Sequence, residues 1–158
     1  MKPFVVAAML GTAIVTGNAQ PAADPVTYPA AYQTFEQIRT ITVKRDPPVG
    51  IVFVNGPAAS VAAAAQLPYP YGSVLVMEWR DGKDGKGGGI VRLDVMRKER
   101  GFGSAYGADR TGEWEFASYS PEGKLLTGPA EAAACAKCHL KAGAAKDFVY
   151  IGRFAATQ

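Results

Sequence analysis

The sequence predicts an α+β domain, a β-rich antiparallel sheet of about five strands with flanking helices. Short apolar stretches with strand-like alternation or β-branched composition recur at hairpin spacing through the middle of the chain, divided by Gly- and Pro-rich turns. Helical patterns fall towards the two ends, a segregation typical of α+β folds. The composition of 158 residues, 48% hydrophobic and 20% charged, suits one globular domain and excludes a disordered, collagenous or multi-pass membrane chain. A net charge of +3, spread evenly, does not provide the clustered basic face that nucleic acid requires.

Residues 1–19 read as a secretory signal peptide. Met1-Lys2 is a short positive start, Phe4 to Val15 is a mostly apolar run, and Gly17-Asn18-Ala19 sets small residues before a cleavage point after Ala19. The run is about a dozen residues, short of the ~20 that a bilayer helix needs. The pattern points to export into the periplasm with no membrane anchor after cleavage. Residues 20–29, with Pro21, Pro25 and Pro29, read as a flexible leader and residues 30–158 as the domain.

From Ala30 to Ile41, the residues Tyr32, Phe35, Ile38 and Ile41 recur at steps of three, the spacing of one helical face. Pro47-Pro48 ends that helix. Gly50 to Gly56 is a β-rich run closed by Asn-Gly and reads as a buried strand. Pro57 then opens an Ala-rich helix from Ala58 to Gln66. After the loop Leu67 to Gly72, Ser73 to Arg80 alternates Leu75, Met77 and Trp79 with Val74, Val76 and Glu78, a second strand. Asp81 to Gly89 holds five glycines and lacks the phosphate-binding P-loop pattern, so it reads as a hairpin loop. Ile90 to Arg97 is a third strand, with Arg92, Asp94 and Met96 on a solvated face. Gly101 to Gly112 is a connection, Glu113 to Tyr119 a fourth strand, and Ser120-Pro121-Glu122-Gly123 a turn. Ala130 to Ala134 starts a helix that runs into the cysteines, and Phe148 to Ile151 closes the chain as a last strand.

Both cysteines and the single histidine of the chain fall within Cys135-Ala136-Lys137-Cys138-His139, the C-x-x-C-H pattern of covalent c-type haem attachment. Residues three apart share one face of a helical turn, so both thiols reach the two vinyl groups of one haem, and the next residue brings its imidazole to the iron. A structural zinc site needs four ligands and finds three here. A thioredoxin-like dithiol expects a βαβ context that the pattern lacks. A disulfide across two residues would be strained and would leave His139 without a role. Because His139 is the sole histidine, a sixth iron ligand could come only from Met77, Met96 or a lysine. A position of the motif close to the C-terminus, behind a run of strands, speaks against the helical electron-transfer cytochrome c and for an open sixth position.

The chain resembles the cytochrome P-460 family, which includes the cytochromes c′-beta. The likeness runs through Val52-Phe53-Val54-Asn55 and the Ala-rich helix, Pro70 to Val76, Met96-Arg97-Lys98, Gly112-Glu113-Trp114-Glu115-Phe116, Ser120 to Lys124, Cys135 to His139 and Lys146-Asp147-Phe148-Val149. The resemblance implies a β-rich fold, a homodimer, one haem c with five-coordinate iron, and binding or turnover of small nitrogen oxides. Members named P-460 carry a lysine cross-linked to the porphyrin and oxidise hydroxylamine. The c′-beta members lack that link, enclose the distal side with apolar aromatic residues and bind nitric oxide.

Ser73 to Trp79 contains no lysine, and Met77 precedes Glu78 where a lysine is expected in many relatives. Lys44 and Lys83 remain as cross-linking candidates. The expected distal wall is Leu75, Met77 and Trp79, with Phe35 or Phe53, and such a wall gives bound oxygen no hydrogen bond and favours nitric oxide. Hydroxylamine oxidation would need proton acceptors near the iron, for which Glu78, Arg92 and Arg97 are the polar candidates. The expected assignment is a nitric-oxide-binding haem protein, with a hydroxylamine-oxidising enzyme or a low-spin electron-transfer cytochrome served by a redox partner protein as alternatives.

Overall fold

Five strands run as one antiparallel meander in chain order: β1 (Glu36–Thr42), β2 (Val49–Val54), β3 (Val74–Arg80), β4 (Ile90–Lys98) and β5 (Trp114–Tyr119). Two α-helices accompany them, α1 (Gly56–Ala64) between β2 and β3, and α2 (Pro129–Leu140) after β5. The α+β class and its antiparallel sheet are as the sequence predicts. The computed structural model describes residues 26–42, 44, 49–64, 66–82 and 88–150. The signal-peptide pattern, Pro47-Pro48, Lys83 and Ile151 lie outside the described residues. No helix among the described residues is long and apolar enough to cross a membrane.

The sheet is buried on both faces. On its front face Val54, Leu75, Met96 and Phe116 share a core with Ala58 and Val61 of α1 and Ala136 of α2. On its back face Val76, Leu93, Val95, Ala117 and Tyr119 are covered by Val26 and Tyr32 from the segment preceding β1. Val26 is buried and its carbonyl accepts the Tyr119 hydroxyl, so the last residues of the expected leader pack as part of the domain. Glu78 also lies on the back face, fully buried, where its carboxylate accepts the Tyr32 hydroxyl and pairs with Arg80.

Two elements differ from expectation. Ala30 to Ile41 is a short 3₁₀ turn, Tyr32–Thr34, followed by strand β1, because a β-bulge between Gln37 and Arg39 adds one residue to the pairing with β2. The extra residue lets Ile38 and Ile41, three apart, both address the front face, which imitates helical spacing. Phe148 to Tyr150 is no strand: Asp147 and Phe148 take φ of 50° and 60° and turn the chain beneath α2.

That turn is anchored by a buried ion pair. Asp147 Oδ2 accepts Lys98 Nζ at 2.6 Å and the Tyr69 N–H at 2.9 Å, and the Asp147 carbonyl accepts the indole N–H of Trp114 at 2.9 Å. Removing one partner of such a pair strands the other charge, at a cost of about 3–5 kcal/mol, whereas replacing both by apolar groups is often neutral. Asp147→Asn is therefore expected to lower the urea midpoint sharply, and Asp147→Asn combined with Lys98→Met to recover most of the loss. Equal midpoints for all three proteins would show that the pair does not hold the fold.

Candidate functional site

Helix α2 carries all three residues of the C-x-x-C-H motif. It starts with Pro129 in its first turn, and Glu131 Oε2 accepts the Gly128 N–H at 2.9 Å. Ala136 packs into the front core and is fully buried, which rotates Cys135 to a half-buried position and leaves Cys138 exposed. Both thiols are free. Burial, reinforced by Asp94, pushes the Cys135 thiol pKa up, so it stays protonated at neutral pH.

His139 is held on three sides. Its Nδ1 lies 2.8 Å from the Phe148 carbonyl, and its ring stands 4.8 Å from Phe116 and 5.3 Å from Tyr150, centroid to centroid. A carbonyl only accepts, so Nδ1 carries the proton and Nε2 keeps its lone pair, the tautomer that binds a metal. The Tyr150 hydroxyl donates to the Cys138 carbonyl at 2.7 Å and ties the end of the turn back to the helix.

The motif opens onto a cavity of about 560 Å³ between α2 and the front face of the sheet. That volume lies in the range of cofactor sites, which are mostly apolar with few polar groups. Leu75, Met77 and Trp79 all line it, together with Met96 and Phe116. The strand register explains this, because Leu75 pairs with Met96, Met77 with Asp94 and Trp79 with Arg92. The face of β4 expected to be solvated therefore belongs to the cavity, and both methionines share it.

Several expected neighbours stand elsewhere. Phe53 pairs with Val76 on the back face and packs against Tyr32, and Phe35 joins the same back core, so neither contributes to the cavity wall. Glu78 is sequestered there too, and Arg97 pairs with Glu99 away from the cavity. Lys44 is exposed. Among the described residues, no lysine lines the cavity.

Arg92 does line it, and beside it the structure places Asp94, a residue the sequence did not single out. Asp94 accepts the Trp79 indole N–H and the Ser118 hydroxyl, each at 2.6 Å, and pairs with Arg92 at 2.9 Å. Tyr150 and Phe148 were likewise unmarked. The only signal that could have found them was the register itself, which fixes the partner of Met77 across β4, and the turn after α2.

The residues fit a haem: two thiols on one helical side, a neutral imidazole with a free Nε2, and an apolar cavity in front of them. Among the described residues, no group of three or more His, Cys, Asp or Glu is arranged to hold a metal ion, so no four-ligand zinc site forms around the motif. The family model Cytochrome P460 matches residues 29–151, most of the chain. A comparison with the curated proteins finds no match.

Burial holds the His139 imidazole below the ordinary histidine pKa, against the opposing effects of the Phe148 carbonyl and Asp94. A folded-state pKa below the unfolded one means that the unfolded chain takes up the proton first, so stability is present above pH ~6.5 and falls as pH drops below it. In the haem-free chain, the single histidine is expected to titrate with a midpoint below ~6.5 by nuclear magnetic resonance. Melting temperature should fall from pH 7.5 to 5.5, and less so in His139→Phe. A midpoint at or above the ordinary value would contradict a partly buried, neutral ring.

Proposed function

The chain belongs to the cytochrome P460 family and is a haem cytochrome, and from that premise we propose that it is an exported mono-haem c-type cytochrome with an open axial position that binds nitric oxide or a related small nitrogen oxide. Cys135 and Cys138 would hold the haem as thioethers, and His139 would ligate its iron. The observation that carries this reading is the state of the sole histidine, oriented by the Phe148 carbonyl and facing an apolar cavity that offers no second imidazole. When bound, the haem supplies a ferrous iron able to take a diatomic ligand.

The chain's own side chains set which ligand is retained. Leu75, Met77, Met96 and Phe116 offer no hydrogen-bond donor. Of the donors that line the cavity, the Trp79 indole N–H and an Arg92 Nη2 N–H are taken by Asp94 and the Tyr150 hydroxyl by the Cys138 carbonyl, while the buried Arg92 Nε makes no hydrogen bond. A wall that is mostly apolar, with few donors to spare, gives oxygen little help and nitric oxide no disadvantage. Export into the periplasm is supported by the pattern of residues 1–19. A homodimeric unit and exchange of electrons with a redox partner protein rest on the family resemblance.

Asp94 favours a second reading, a hydroxylamine-oxidising enzyme, because it is a carboxylate within the cavity where such chemistry needs a proton acceptor. Its oxygens already receive Trp79, Ser118 and Arg92, which leaves little acceptor capacity for a substrate. The absence of a lysine on the cavity wall among the described residues also favours the unmodified haem.

The mature protein is expected to have the mass of the chain from Gln20 plus one haem, a largely high-spin electron paramagnetic resonance spectrum, and ready binding of nitric oxide in the ferrous form. Cys138→Ala should leave the haem attached by a single thioether or lost. Hydroxylamine with an electron acceptor should give little turnover. A haem peptide that also contains a lysine fragment joined to the porphyrin, with rapid hydroxylamine oxidation, would decide for the enzyme.

A further inference from the structure

Two methionines line the cavity, and a thioether is a competent axial ligand for haem iron. Met96 is fixed in the front core with Leu75 and Phe116. Met77 is only half-buried, on an unbranched and adaptable side chain. Something must keep its sulfur away from the metal if the axial position is to stay open.

Gly50 supplies the space for that. It sits on the front face of β2, paired with Trp79 on β3 and with Ile41 on β1. A Cβ at this position would lie 2.7 Å from Met77 Sδ, 3.0 Å from Ile41 Cγ1 and 3.2 Å from Trp79 Cζ3. Non-bonded carbon contacts settle near ~3.5–4.0 Å, so the Met77 sulfur occupies the volume that any other residue would fill. The backbone of Gly50 is outside the left-handed region, so what a side chain would meet here is close approach, chiefly to the flexible Met77 thioether, and not a conformational bar.

We propose that Gly50 is a specificity-determining residue: its missing side chain gives the Met77 thioether a berth against the sheet, holding the sulfur off the iron and leaving the axial position to a small ligand. Ile41 and Trp79 wall the berth on both sides, while Val52 and Asp94 flank Met77 across β2 and β4. A sulfur displaced from the berth therefore has the cavity as its exit. The inference rests on the haem reading above and goes beyond it by naming what keeps the cavity's own soft ligand from closing the site.

The test is spectroscopic. In the holoprotein, Gly50→Ala should convert a substantial share of the iron to a low-spin, six-coordinate form and slow nitric oxide binding to the ferrous state about tenfold or more. Gly50→Ala with Met77→Leu, which keeps the bulk and removes the sulfur, should return to high spin. Met77→Leu alone should stay high-spin. A Gly50→Ala holoprotein with the unaltered spin state and unaltered nitric oxide kinetics would overturn the proposal. The same holds if low spin persists without the sulfur. The unsubstituted protein provides a check that does not depend on how the variants fold: with methyl-¹³C-methionine, the Met77 methyl should show a nuclear Overhauser contact to the Gly50 α-protons, with or without haem. Absence of that contact would refute the berth. A chain that shows the contact but attaches no haem would instead defeat the functional reading alone.

Discussion

Asp147 brings its carboxylate into the end of the front core, where it meets Lys98 from β4 and the backbone of Tyr69 ahead of β3, while its carbonyl takes the indole of Trp114 from β5. The orientation of His139 hangs from this junction, because the next residue, Phe148, presents the carbonyl that meets its Nδ1. Asp147 and Phe148 both adopt positive φ, a conformation that costs roughly 1–3 kcal/mol for each non-glycine residue. Hydrogen bonds to a charged group contribute about 1.5–3 kcal/mol apiece, so two of them on Asp147 are of the size needed to offset that strain. The ion pair is thus less a general reinforcement than a local one: it stabilises a turn the backbone would otherwise avoid. Lys98 also stands 5.7 Å over the Trp114 ring, which is itself fully buried. The same contacts that hold the turn therefore lock the start of β5 and the end of β4.

Most of this fold, and the motif carried on α2, were legible in the sequence because both are local. C-x-x-C-H fits within five residues, and a helix running into it was legible from Ala130 onward. The strands β3 to β5 were legible from alternation and β2 from its β-rich composition closed by Asn-Gly. What failed was whatever depends on the partner strand. The period of three through Ile38 and Ile41 came from a bulge, visible only once β1 is paired with β2. Phe148-Val149-Tyr150 has strand-like composition, yet distant Lys98 and Trp114 bend it into a turn. Which residues line the cavity depends on pairing for the same reason. Leu75, Met77 and Trp79 share one face by alternation alone, but only the register adds Asp94 opposite Met77 and sets Phe53 on the other side of the sheet.

The polar pair in the cavity bears on its chemistry. Phe116 stands against His139, and Arg92 and Asp94, with side chains 39% and 35% exposed, sit where solvent reaches, with Asp94 close enough to act on the charge of both His139 and Cys135. An ion pair that exposed adds little stability, commonly under ~1 kcal/mol. Its consequence here is one of occupancy: it consumes the indole N–H of Trp79, the one donor that a largely buried aromatic residue brings to the wall. Replacing Asp94 by an apolar residue would therefore not make the pocket more apolar. It would release the Trp79 N–H and the Arg92 guanidinium from Asp94 at the cavity wall, where a polarised ligand would gain from them. On this sheet, a carboxylate takes up the indole donor of the wall, and a glycine makes room for the Met77 sulfur.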